Sequence, residues 1–159
     1  ISDQVTTQLS AQQIFFPPKG DATASPEIGP FINQYAGQQL KTGEQARAFA
    51  DHYIAVHLKE SGGGLTYAQL SSKSRANPTD TKLADQVNTA FKGETLRGLL
   101  LNAYAFSKMG QIALIAAIVS FVGAGAMLLL SLLGMAHMRR VDPEQEVLTG
   151  ARKHEVVTA

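Results

Sequence analysis

With 14 basic and 13 acidic side chains in 159 residues, the chain is too nearly neutral to carry a basic stripe, and no arginine and aromatic interleaving marks a nucleic-acid surface. It has no cysteine, which excludes disulfide staples and thiolate chemistry. The 28 residues from Met109 to Ala136 contain no charge and no histidine. About a hundred residues precede them, enough for one small domain and not for two.

The opening ISDQVTTQLSAQQI is polar and begins at Ile1 without the basic and apolar regions of a signal peptide. A domain exported ahead of an outward-to-inward helix needs an earlier membrane segment. A further N-terminal transmembrane helix is therefore expected upstream of Ile1, with Gln4 to Gln13 continuing from its outer end. Ile14, Phe15 and Phe16 form a short apolar stretch stopped by Pro17 and Pro18, and KGDATASPEIGP reads as an exposed, ordered loop. Phe31, Ile32 and Tyr35 give an apolar patch of one or two helical turns before Gly37. Residues 1–41 are thus expected to be an extended, loop-rich outer segment.

Residues 42–108 read as a helical domain. Thr42 and Gln45 have capping-box spacing, Glu44 sits in the positive first turn, and Ala46, Phe49, Ala50, Tyr53, Ile54, His57 and Leu58 recur on one helical face. The SGGG run, residues 61–64, ends that helix, because glycine tolerates the left-handed conformation that closes it. Thr66 and Gln69 repeat the capping box before YAQLSSKSRA, whose Tyr67 and Leu70 are expected to pack on the first helix. Asn77 and Pro78 signal another start, followed by the apolar stripe Leu83, Val87, Ala90 and Phe91. No loop signal intervenes before the apolar run, so this helix is expected to continue into it.

Residues 109–138 read as a transmembrane helix. At ~1.5 Å per residue the run is long enough to cross a hydrocarbon core of ~30 Å, and the hydroxyls of Ser120 and Ser131 can bond back to their own helix. Arg139 and Arg140 follow directly, with Arg152 and Lys153 close behind, against Lys92, Arg97 and Lys108 on the other side. That bias places the C-terminus in the cytoplasm, with Arg139 and Arg140 as its anchor, and residues 1–108 outside. The tail, 139–159, carries four basic and four acidic residues and is no strong anionic-lipid switch. Within the span, Ala113, Ala116, Ala117, Ser120, Gly123 and Ala124 recur at three- and four-residue spacing, the small-residue face by which helices pack closely in lipid.

No constellation of catalytic or metal-binding residues emerges. His52 and His57 are five apart, so they diverge on a helix instead of sharing the one-turn spacing that chelates a metal, and His137 and His154 lie beyond the apolar run. Asp51 and His52 have no serine placed by a nucleophile elbow, and the glycines at 62–64 lack the strand and the lysine of a phosphate loop. Catalytic, cofactor and metal residues are therefore all expected to be none.

The segments PEIGPFINQYAGQQLKTGEQARAFADHYIAVHLKE, TYAQLSSKSRANP and FKGETLRGLLLNAYAFSKMGQIAL resemble a small membrane-protein family of high-GC Gram-positive bacteria, the respiratory supercomplex association factor one family. The likeness covers most of Pro26 to Arg140, and GETLRGLLLNAYAF is its most distinctive part. The resemblance implies an all-α outer domain between two membrane helices. It also implies association with cytochrome bcc and cytochrome c oxidase, with haem, copper and quinone held by those partner subunits. A non-catalytic accessory subunit of that supercomplex, in contact with membrane lipids and without a small-molecule substrate, is the leading expectation. A membrane-tethered extracytoplasmic enzyme or ligand-binding module is the alternative.

Overall fold

Val5 and Leu9 stand one helical turn apart in an otherwise polar stretch, and both are buried on one side of α1, Ser2–Ala11. This helix belongs to a computed structural model that describes residues 2–140; the helix expected upstream of Ile1 and residues 141–159, with Arg152, Lys153 and His154, lie outside the described residues. The described chain is mainly helical, with an isolated antiparallel bridge between Phe15 and Gln39 and no strand among those residues. It separates into two compact units, one ending at Ala113 and one beginning at Leu114.

In the first unit, residues 14–16 and 38–40 run past each other in extended form, where Phe16 N–H donates to Gln38 at 2.9 Å and Leu40 N–H to Ile14 at 2.8 Å. Asp21–Thr23 is a single 3₁₀ turn, α2 is Gly29–Ile32, and a further 3₁₀ turn covers Asn33–Tyr35. Residues 1–41 are therefore less loop-like than their proline, glycine and serine content predicts. Val5, Leu9, Phe16, Ile28, Ile32 and Leu40 are all buried in the main core, so the segment is held by the rest of the unit. Burial of widely spaced apolar residues decides this, and a local count of turn formers does not register it.

The helix expected from Thr42 is present as α3, Gly43–Ala48, a π-helical stretch Phe49–Ile54, and α4, Ala55–Ser61, without a break. Thr42 Oγ1 accepts from Gln45 N–H at 3.2 Å, and the Gln45 side chain accepts from Thr42 N–H at 3.1 Å, which completes the capping box. The π turn takes in extra backbone and shifts the inward face, so Val56 is buried while His57 and Leu58 are half-buried. The helix closes at the glycines: Gly63 and Gly64 have φ of 59° and 79°, and Gly64 N–H donates to Lys59 at 2.7 Å.

α5, Tyr67–Ala76, begins with the second capping box, in which Gln69 N–H donates to Thr66 Oγ1 at 3.3 Å. Leu70 is buried, but Tyr67 stays exposed and its ring lies 5.8 Å from that of Phe91 rather than on the earlier helix. The expected start at Asn77 and Pro78 is displaced. Asn77 closes α5, its N–H and its amide both donating to Lys73, and the next residues make a turn. α6, Thr81–Met138, is instead capped by Asp80, whose Oδ1 accepts from Leu83 N–H at 2.9 Å. As expected, it continues without interruption into the apolar run.

An aromatic chain organises the core of the first unit: the Phe16 ring is 5.1 Å from Tyr35 and 5.3 Å from Phe49, which in turn is 4.8 Å from Tyr53. α3 and α4 run against α6, with Gly43 opposite Ser107 and Gly93 opposite Leu58. These two glycines let the helices meet closely. Of the second unit, Leu114 to Met138 continue α6 as an apolar helix with no buried side chain.

Candidate interaction surfaces

Where α3 and the π turn face α6, charged side chains alternate in sign. Lys108 Nζ pairs with Glu44, Arg97 lies 3.3 Å from Asp51 and 3.5 Å from Glu94, and Arg47 lies 3.7 Å from Asp51. Arg47 also donates to the Tyr104 hydroxyl at 3.0 Å, with its guanidinium carbon 5.1 Å from that ring, while Lys108 approaches the ring to 5.6 Å. The hydrogen bond with Glu44 raises the pKa of Lys108 above its ordinary 10.5, so the ammonium persists at every pH below that. Three cations and three carboxylates balance one another along this seam. Exposed pairs of this kind contribute little to stability, because solvent screens them.

The histidines of this unit are engaged with aromatic rings. His52 stacks on Phe31 with centroids 3.6 Å apart and planes 5° from parallel. His57 places Nδ1 2.8 Å from the Tyr53 carbonyl oxygen and its ring 4.4 Å from the Tyr53 ring. The two point to different neighbours, as the five-residue separation predicts. Asp51, beside His52 in sequence, is taken up by Arg47 and Arg97. Among the described residues, no three side chains of His, Cys, Asp or Glu gather where they could hold a metal.

A groove of about 530 Å³ opens between α1 and the part of α6 that belongs to the first unit. Val5, Leu99, Phe106 and Met109 give it an apolar floor, and Gln4, Gln8 and Asn102 a neutral polar rim. A smaller recess of about 170 Å³ brings Val5 and Thr6 beside Ser107 and Gln111. Neither is legible in the sequence. The signal available was the Val5 and Leu9 pair, which marks a buried face of α1 but not the helix it meets.

Six small side chains of the span share one side of α6, which is exposed all round here. Ala113, Ala116, Ala117, Ser120, Gly123 and Ala124 are all exposed, and a Cβ added at Gly123 would meet nothing within 4 Å. Ser120 Oγ donates to the Ala116 carbonyl at 2.8 Å, so its hydroxyl is satisfied within the helix. At the end of α6, Arg139 N–H donates to Met135 and Arg140 N–H to His137, and both side chains are exposed.

Searches of protein-family models, of curated proteins and of solved structures find no match. The surfaces themselves then carry the functional reading. They are an exposed apolar helix, a charge-balanced seam within the first unit and a neutral groove.

Proposed function

We propose that the chain is a non-catalytic accessory membrane subunit that associates with, and helps assemble or stabilise, a supercomplex of cytochrome bcc and cytochrome c oxidase. The observation that carries the membrane part is the uncovered length of α6. Its apolar window has a mean hydropathy of 2.5 and is 0% buried, whereas a core helix of that composition would be covered by its own chain. The respiratory part rests on the likeness of GETLRGLLLNAYAF and its flanking segments to the supercomplex association factor family.

In this reading residues 109–138 cross the cell membrane, with Arg139 and Arg140 anchoring the cytoplasmic end and the helical domain outside. The partners are the haem- and copper-bearing subunits, and the chain itself binds no redox cofactor.

Mild-detergent purification tests the assignment: co-elution with haem-absorbing subunits is expected, and a solitary monodisperse protein would overturn it. The small-residue face supplies the second measurement. Ala116→Leu combined with Ala124→Leu should insert normally, since leucine favours insertion, yet hold a neighbouring helix away. Retention of the chain with the respiratory complexes should then fall at equal membrane expression. Unchanged retention would assign the binding to another surface.

A further inference from the structure

The groove between α1 and α6 gathers exposed apolar side chains in one place. Leu99, Phe106 and Met109 are 62%, 57% and 58% exposed, large apolar side chains that the core does not use. No charged side chain lines the groove, in a chain with 27 of them. Its rim of Gln4, Gln8 and Asn102 offers amide donors and acceptors without net charge. An apolar floor under a neutral hydrogen-bonding rim matches an amphiphile whose polar atoms are ester and phosphate oxygens.

Size and position narrow the occupant. About 530 Å³ falls inside the ~300–1,000 Å³ of small-molecule sites. Eight residues line it, against roughly 20–30 a side in a stable protein interface, so a second copy of the chain is poorly served. Met109, at one end, also opens the uncharged run, and Ile112 on the next turn of the same helix is 66% exposed. The groove floor is thus continuous with the surface that meets hydrocarbon. Leu99 lies ~15 Å further along the helix from Met109, at ~1.5 Å per residue, beyond the reach of chains that stay within the bilayer.

We propose that the groove between α1 and residues 99–109 of α6 takes one acyl chain of a membrane phospholipid, whose glycerol-level oxygens meet Gln4, Gln8 and Asn102. This rests on the reading of residues 109–138 as a membrane span. A chain held there packs against Phe106 and Leu99 and covers apolar surface that otherwise faces water.

The test uses the full chain in vesicles of phosphatidylglycerol and phosphatidylethanolamine that contain a phosphatidylcholine with a photoreactive diazirine on its acyl chain. After illumination, trypsin cuts at Arg97, Lys108 and Arg139, which separates peptides 98–108 and 109–139. Label is expected in both. In Leu99→Gln with Phe106→Gln, both at positions more than half exposed and outside the core, label in 98–108 should fall roughly fivefold or more, while 109–139 keeps its label. Label confined to 109–139 would overturn the groove assignment and leave the span intact. Label absent from both would overturn the membrane reading as well. An unchanged pattern in the double variant, or a covalent dimer joined through 98–108, would overturn lipid occupancy.

Discussion

The first unit closes around a buried apolar core and the described part of the second has none, although the same helix contributes to both. Up to Ala113, Phe16, Ile32, Leu40 and Leu70 are each no more than 2% exposed, and the charges lie outside them. From Leu114 to Met138, Phe121 is 80% exposed and Val122 69%, with no charged residue among them. The difference is the one that the proposed membrane span requires. In water, apolar area is removed from solvent by folding inward, and in lipid the same area can be left outward, so close packing of small side chains supplies much of the attraction between helices.

Truncation in the water-facing core should have the largest effect. Leu40 is fully buried, and Leu40→Ala removes its contacts and leaves a cavity, so a loss of about 2–5 kcal/mol is expected. Thermal unfolding of the full chain in detergent, followed by the near-ultraviolet signal of the packed tyrosines, measures it. Leu130→Ala in the apolar run, at a position 63% exposed, should leave that transition where it was. Equal shifts from the two would erase the distinction between the units.

Charge insertion reverses the ranking. Val122→Arg places a cation near the middle of the apolar run and should cost about 2.5–3.5 kcal/mol of insertion, seen as a smaller membrane-integrated fraction after carbonate extraction. Phe91→Arg, 55% exposed in the first unit, should insert fully and lose no more than about 1 kcal/mol through its contact with Tyr67. Full insertion of Val122→Arg would show that this stretch does not meet hydrocarbon.

The smallest of these effects concerns close approach within the first unit. A Cβ at Gly43 would stand 2.8 Å from Ser107 Oγ and 3.3 Å from Tyr104 Cα, so Gly43→Ala must separate α3 from α6 and should cost about 1–3 kcal/mol. Gly123→Ala, with open space around its Cα, should leave stability unchanged or slightly raise it through helix propensity. An equal loss at both positions would mean that Gly123 is packed in the detergent-solubilised protein.

Features that depend on neighbours in sequence were legible. Both capping boxes require only a threonine and a glutamine three residues on, and both are formed. The glycine run closes α4 because left-handed φ is a property of the residue itself. The cap of α6 lies at Asp80, three residues beyond the Asn77 signal, for the complementary reason. Asn77 has two possible uses, and its side-chain bond to Lys73 at the end of α5 takes precedence over capping the next helix.

What the sequence by itself determined is the helical class, the helix ends set by caps and glycines, and the uncharged length of α6, because each depends on backbone bonds or composition within a few turns. Only the tertiary structure decided that residues 1–41 join the core through Val5, Phe16, Ile32 and Leu40. The same holds for Asp51 with Arg97, 46 positions away, for His52 on Phe31, and for the groove between α1 and Leu99 to Met109. Such contacts form between distant segments, where hydrophobic burial and charge pairing act through space and no periodicity along the chain records the partner.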